Sequence, residues 1–386
     1  MPKDRPRDSA KEESVTMLTI DDLVVSIFTI PTEEPESDGT LTWRATTVVV
    51  VEPTAAGITG IGFSYATGAC ARLINDVLRD VVIGQDALDV SRNWSAMVRS
   101  IRNFGRPGIA SMAIAAVDCA LWDLKAKHLG VPLVKLLGQV NDTVPVYGSG
   151  GFTSYSDEKL ARQFSEWVHG QGIPRVKMKV GEAWGTRPER DLERVHFARE
   201  VIGPSTALFV DANGGYSVKQ AVRMAKEFAR HDVSWFEEPV SSDHLSSLAE
   251  VRSQTSIDVA AGEYGYDLFY FKAMCEAQAV DCLQADASRC AGISEWLRVA
   301  SLAEAHGLQI SGHCAQSLHA HPACAVSNVR HLEYFADHAR VDRLLFDGVL
   351  DPVGGVLRPD LSRAGLGLEL KRADAQKFLV GQGVHD

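Results

Sequence analysis

The chain has 386 residues, too many for one small core and enough for a barrel with an added domain. Hydrophobic residues make up 45%, as in ordinary globular proteins. Lys plus Arg number 39 against 50 Asp plus Glu, a formal charge of −11, which disfavours nucleic acid and anionic membrane surfaces but leaves anionic substrates open, since a metal and a few lysines reverse the sign locally.

Residues 1–16 are rich in Lys, Arg, Asp and Glu and read as a disordered tail without the apolar stretch of a signal peptide. No uncharged apolar run approaches the ~18 residues of a membrane span. Val- and Ile-rich residues 23–30 predict a strand. Acidic residues 31–42, with two prolines and a glycine, predict a flexible loop. The β-branched run 46–51 predicts a second strand, and 57–63 a third entered through a turn. From 70 to about 137 the pattern is helical, most clearly over 110–128, where Asp118, Asp123 and Lys125 sit between apolar positions. Strands followed by helices predict an α+β domain over 17–140.

After Asn141 the rhythm changes. Strands are predicted at 144–147, 175–180, 207–210, 234–236, 258–261, 282–284, 309–311 and 331–335, with helices between most of them. Repeated β-then-α units of this length predict a (β/α) barrel over 141–349. No GxGxxG fingerprint follows a strand, which argues against a doubly wound sheet. Residues 350–386 begin Pro- and Gly-rich, continue through a strand-like 366–370 and a short helix, and are expected to return to the N-terminal domain. The seven cysteines are odd in number and form no CxxC pair, so they read as reduced thiols of a cytoplasmic protein. Most are expected in the core; Cys314 lies beside a candidate catalytic histidine.

The chemistry-bearing residues end the predicted barrel strands. Lys177-Met178-Lys179 closes the second and Asp211-Ala212-Asn213 the third. Glu237-Glu238-Pro239 closes the fourth and Gly262-Glu263 the fifth. Asp286 ends the sixth, Gly312-His313 the seventh, and the eighth carries Glu333. C-terminal strand ends of a barrel surround one mouth, where active sites form. From Asp211 to Glu237 is 26 residues (237 − 211), and from Glu237 to Glu263 again 26 (263 − 237), about one βα unit, so the three carboxylates occupy equivalent places. Together they cannot all stay ionised without compensation, and an all-oxygen set favours Mg²⁺ over Zn²⁺. Singly, each motif has a plain reading: a loop acid or helix cap, a solvated strand face, a structural histidine. Their joint occurrence, in order and at regular spacing, sets these readings aside.

These motifs resemble the enolase superfamily, specifically its mandelate racemase subgroup, over essentially everything after about Thr19. The related muconate-cycloisomerase-like subgroup places a lysine on the sixth strand; Asp286 with His313 selects the racemase subgroup. The resemblance implies an α/β fold, a modified TIM (β/α)7β barrel with an α+β capping domain. It implies that Asp211, Glu237 and Glu263 bind Mg²⁺. Lys179 would be a base on one face of the substrate, its pKa lowered by Lys177, which also helps neutralise the substrate carboxylate. His313 would act on the opposite face, its tautomer and basicity set by Asp286. A protonated Glu333 would donate to the substrate carboxylate. Asn213, beside a metal ligand, would support that ligand or touch the substrate, and Glu238 is the weaker member of its pair.

A carbon acid beside a carboxylate has a very high pKa, so the metal and Lys177 must take up the charge that develops on the enediolate oxygens, with proton transfer adding about 10²–10⁴. Three outcomes then open: dehydration, epimerisation or racemisation, and lactone chemistry. The resemblance ranks dehydration of an acid sugar to a 2-keto-3-deoxy acid first, and epimerisation of a 2-hydroxy acid second. The loop 31–42 and residues 63–68 resemble the family's two capping loops, and Ser64, Tyr65 and Thr67 offer hydroxyls suited to a polyol. A catalytically silent binding protein on the same barrel is the reading of another class, disfavoured because no site residue is missing. A metallohydrolase would bring His ligands, which are absent from the carboxylate set. A homo-oligomer is expected.

Overall fold

The computed structural model describes residues 17–383. The tail expected over 1–16 lies outside them. The first two strands, Asp22–Ser37 and Thr42–Ala55, form a long antiparallel hairpin. This corrects the flexible loop expected over 31–42. The ladder breaks only between Pro31 and Glu36 and resumes with Glu36 opposite Trp43. Proline donates no ladder hydrogen bond, so the strand bulges there rather than ending.

The expected third strand is two short pieces, Ile58–Thr59 and Gly62–Ser64, both paired with the second strand. The break is a packing requirement. A Cβ on Gly62 would lie 2.3 Å from Ala120 N, and one on Gly60 2.4 Å from Ala120 O. Helix Ile109–His128 therefore rides directly on this backbone. Its buried residues Ala113, Ala116, Val117 and Ala120 join Val49, Val51 and Leu78 in the cap core. At the other end of the chain Leu379–Gly383 pairs antiparallel with the first strand, so the tail adds an edge to the cap sheet.

Eight parallel strands follow: Val144–Gly150, Arg175–Lys179, Ala207–Asp211, Val233–Glu237, Asp258–Ala261, Cys282–Ala285, Gln309–Gly312 and Val329–Phe335. We number them first to eighth. The eighth pairs with the first, which closes the barrel. Val356–Leu357 adds an antiparallel pair at the start of the first strand. Helices pack outside around a core containing Val176, Val210, Phe236 and Leu283. The sequence reading placed no helix after the seventh or eighth strand; the structure has Gln316–Ala323 and Ala336–Leu345 there. Val341 and Leu345 of the last helix join Phe28, Val48 and Phe63 of the cap in one cluster. That helix therefore ties barrel to cap.

The hairpin tip descends onto the barrel mouth. Thr153 N donates to Ser37 O at 2.8 Å and Trp184 N to Gly39 O at 2.9 Å. A Cβ on Gly39 would lie 2.6 Å from Val180 O, so only glycine fits this approach. Below the mouth the barrel interior is filled by Tyr147, Phe209, Trp235, Ala260 and Cys282. This apolar floor removes water from beneath the polar residues above it and strengthens their electrostatics.

Candidate active site

Strand register assembles the site. Lys179 pairs with Asp211, and Asp211 with Glu237, so the three lie side by side at one height. Glu237 pairs with Ala260, and the chain then passes through Gly262 at φ 132 to present Glu263. Glycine is required at that turn twice over, by its angle and because a Cβ would meet Gln284 O at 2.0 Å. Asp211, Glu237 and Glu263 are buried and each offers an oxygen within 4.8 Å of the others.

The carboxylates share two lysines. Lys177, fully buried, bonds Glu237 and lies 2.7 Å from Glu333 and 3.5 Å from Asp211. Lys179 Nζ is 2.5 Å from Asp211 Oδ2. The expected lowering of the Lys179 pKa is corrected here. Burial and Lys177 both oppose its charge, but Asp211, Glu333 and Glu263 outweigh them and hold it above the usual lysine range. Glu237 is raised by burial, with Asp211, Glu333 and Glu263 adding their repulsion. Glu263 Oε2 lies 3.2 Å from His313 Nε2 without meeting hydrogen-bond geometry. Crowded, buried, all-oxygen and with one oxygen unbonded, the triad fits a hard divalent cation such as Mg²⁺.

On the other side of the mouth His313 Nδ1 lies 2.8 Å from Asp286 Oδ2. Ser288 N and Oγ both donate to Asp286 Oδ1 at 2.7 Å. Burial opposes the imidazolium, yet Cys314, Glu263 and Glu333 raise the His313 pKa well above its usual value. Burial and Glu333 push Cys314 itself up to about 12, so its thiol is neutral and the carboxylates carry the effect. His313, Cys314 and Glu333 also cluster closely enough to hold a metal. A sulfur ligand suits a softer ion, and the all-oxygen carboxylate triad is the better fit to Mg²⁺.

Glu333 bridges the two sides. It accepts from Ser149 Oγ at 2.6 Å and Cys314 N at 2.9 Å, beside Lys177 at 2.7 Å and His313 Nε2 at 3.6 Å. Ser149, Cys314 and Lys177 all donate to it. Burial favours the acid, but Lys177, His313 and Lys179 outweigh it and hold the pKa well down. The expected protonated donor is therefore, in this arrangement, a carboxylate.

A cleft of about 470 Å³ opens above, lined among others by Lys179, Glu263, His313, Cys314 and Asn213. Asn213 Oδ1 is buried without a partner. Glu238 lines the neighbouring cleft instead, which agrees with its weaker reading. Asp38, Leu41 and Trp43 of the hairpin tip close the near side.

The three lid hydroxyls divide. Ser64 is fully buried and donates to Ser288 O at 2.7 Å. Tyr65 OH donates to Asp342 at 2.5 Å. Thr67 lines the cleft but accepts from Ala69 N at 3.3 Å as a helix cap. Ser64 and Tyr65 thus hold cap to barrel, because the strand Gly62–Ser64 turns inward against the loop after the sixth strand and the last helix.

Sequence reasoning missed Arg289. Its Nη1 lies 3.3 Å from Glu263 Oε1 and its Nε 3.6 Å from Asp286 Oδ2. It stands three residues beyond Asp286, so reading past the strand end into the loop would have found it.

Residues 159–375 match the family described as Enolase C-terminal domain-like, and residues 24–138 the mandelate racemase / muconate lactonizing enzyme N-terminal domain. A 3,6-anhydro-alpha-L-galactonate cycloisomerase of Streptomyces coelicolor is 32% identical over 323 residues, 82% of this chain and 87% of the relative. A mandelate racemase/muconate lactonizing enzyme-like protein from Rubrobacter xylanophilus is 49% identical with a TM-score of 0.91, over 94% of this chain and 100% of that one. An L-talarate dehydratase from Polaromonas, solved with Mg and L-glucarate, is 30% identical with a TM-score of 0.85, over 95% and 98%. The chain is a member of the mandelate racemase/muconate lactonizing enzyme family of the enolase superfamily.

Proposed function

We propose that the protein is a Mg²⁺-dependent lyase that removes the proton α to the carboxylate of an acid sugar and dehydrates it to a 2-keto-3-deoxy acid. The observation that carries this is the in-register row Lys179–Asp211–Glu237, completed by Glu263 and faced by the His313–Asp286 pair. The Polaromonas relative binds Mg and an acid sugar on the same fold. Asp211, Glu237 and Glu263 hold the ion, which supplies charge stabilisation to a substrate carboxylate. Lys179 takes or returns the α-proton on one face. His313, oriented by Asp286, takes it on the other or protonates the leaving hydroxyl. Lys177 stabilises the enediolate from below. Glu333 fixes Lys177 and the backbone of Cys314, and Asn213 and Arg289 border the bound substrate.

The cycloisomerase name of the Streptomyces relative favours a second outcome from the same intermediate, internal elimination in a cyclic acid sugar. Epimerisation needs only the two opposed bases. No described helix is long and apolar enough to cross a membrane. All seven cysteines are buried and free, which suits the cytoplasm, where we place the enzyme as a homo-oligomer. The test is a panel of mono- and diacid sugars, including galactarate, L-talarate, D-galactonate, arabinonate and L-rhamnonate, incubated with Mg²⁺. A 2-keto-3-deoxy product from any member supports dehydration. Epimers or cyclised isomers without that product reverse the ranking.

A further inference from the structure

His319 belongs to no motif discussed so far. It lies in the helix after the seventh strand, fully buried, six residues beyond His313. Ala287 N, next to Asp286 in the chain, donates to His319 Nε2 at 2.8 Å. A backbone N–H only donates, so Nε2 carries no proton. The neutral ring then has its proton on Nδ1, which lies 2.9 Å from Cys314 O and 3.0 Å from Ala315 O. Both are carbonyls and only accept. The tautomer is thus fixed by two independent sets of partners. Burial lowers the His319 pKa, which keeps the ring in this neutral form.

One ring therefore joins the backbone beside Asp286 to the backbone beside His313. The second attachment holds a segment that would not hold itself. Cys314 and Ala315 sit at φ 45 and 42, a left-handed conformation that non-glycine residues adopt only when surroundings impose it. Ala315 N is tied in turn to His338 Nδ1 at 3.3 Å. The ring's own position is set by close packing: a Cβ on Gly312 would lie 3.2 Å from it, and Trp296 lies 5.8 Å away.

We propose that His319 is a positioning residue that clamps the loops after the sixth and seventh strands and so sets the 2.8 Å contact between Asp286 and His313. The inference rests on the reading above that this pair acts on one face of the substrate. It touches no substrate itself. Without it, proton transfer from the His313 face loses alignment while the Lys179 face, built from one strand, does not.

Two measurements test it. In wild-type protein labelled with ¹⁵N at histidine, His319 must show a protonated Nδ1 and an unprotonated Nε2 across neutral pH; the reverse tautomer, or a charged ring, overturns the clamp. In D₂O with Mg²⁺, His319→Leu and His319→Gln are compared with wild type on panel acid sugars epimeric at the α-carbon. His319→Leu should lose at least about 10²-fold in exchange on the His313 face. Exchange on the Lys179 face should stay within about threefold. His319→Gln, whose amide oxygen still accepts from Ala287 N, should recover part of the loss. An equal fall on both faces, or an intact His313 face, overturns the proposal. If His319→Leu does not fold, the glutamine variant and the tautomer decide. Wild-type protein that exchanges no α-proton in any panel acid contradicts the proposed function, and the tautomer measurement still stands.

Discussion

The two sides of the barrel mouth are built differently. Lys177 and Lys179 come from one strand, two residues apart, and their carboxylate neighbours follow from strand register. The surroundings of His313 come from four places: Asp286 and Arg289 after the sixth strand, Glu263 after the fifth, Glu333 on the eighth, and His319 on a helix. A site made by register is written into the chain locally. One made by loops depends on contacts far apart in sequence, and it fails at more positions.

Removing the metal should erase the difference, because both faces need the charge stabilisation. Exhaustive EDTA treatment should abolish turnover, and Mg²⁺ should restore it. In Glu237→Gln, calorimetric titration should show Mg²⁺ binding weakened by more than the ~10–100-fold that loss of an outer partner costs. Activity that survives chelation contradicts the carboxylate-triad reading.

Asp286→Asn should break one side only. The asparagine amide occupies the same space but no longer stabilises the imidazolium or fixes its tautomer. Exchange on the His313 face should fall on the order of 10²–10⁴, as in His313→Asn, while the Lys179 face persists. Equal losses on both faces would show that Asp286 supports the fold rather than the histidine.

The smallest effect should come from the cap. Tyr65→Phe removes a hydrogen bond to buried Asp342 and should cost about 1–3 kcal/mol of stability. KM should be unchanged, since the hydroxyl is occupied within the protein. A rise in KM without loss of melting temperature would return Tyr65 to the substrate.

The barrel and its strand-end residues were legible because register and the βα period are sequence properties. The 26-residue spacing of Asp211, Glu237 and Glu263 needs no tertiary information. The hairpin over 31–42 was not legible, since Pro31 and the acids read as loop while the partner strand supplies the pairing. Ser64 misled for a related reason: a hydroxyl in a lid segment does not say which way it points, whereas Tyr65 borders the cleft with its hydroxyl bonded to Asp342. Charge states were the least legible. Lys179 was expected to be depressed by Lys177 two residues before it on the strand, but Asp211 across the ladder, with Glu333 and Glu263, outweighs burial and Lys177. Glu333 was expected protonated, and four donors converge on it.

The central claim is that Lys179 and His313 address opposite faces of one α-carbon. Only the first and eighth strands separate theirs around the barrel on one side, with Glu333 between. The direct measurement is α-proton exchange in D₂O by NMR, with Mg²⁺ and panel acid sugars epimeric at that carbon. Lys179→Ala should retain exchange for one epimer only, and His313→Asn for the other only. Loss of exchange for the same epimer in both variants, or unchanged turnover without His313, would contradict the two-sided site and leave Lys179 as both base and acid.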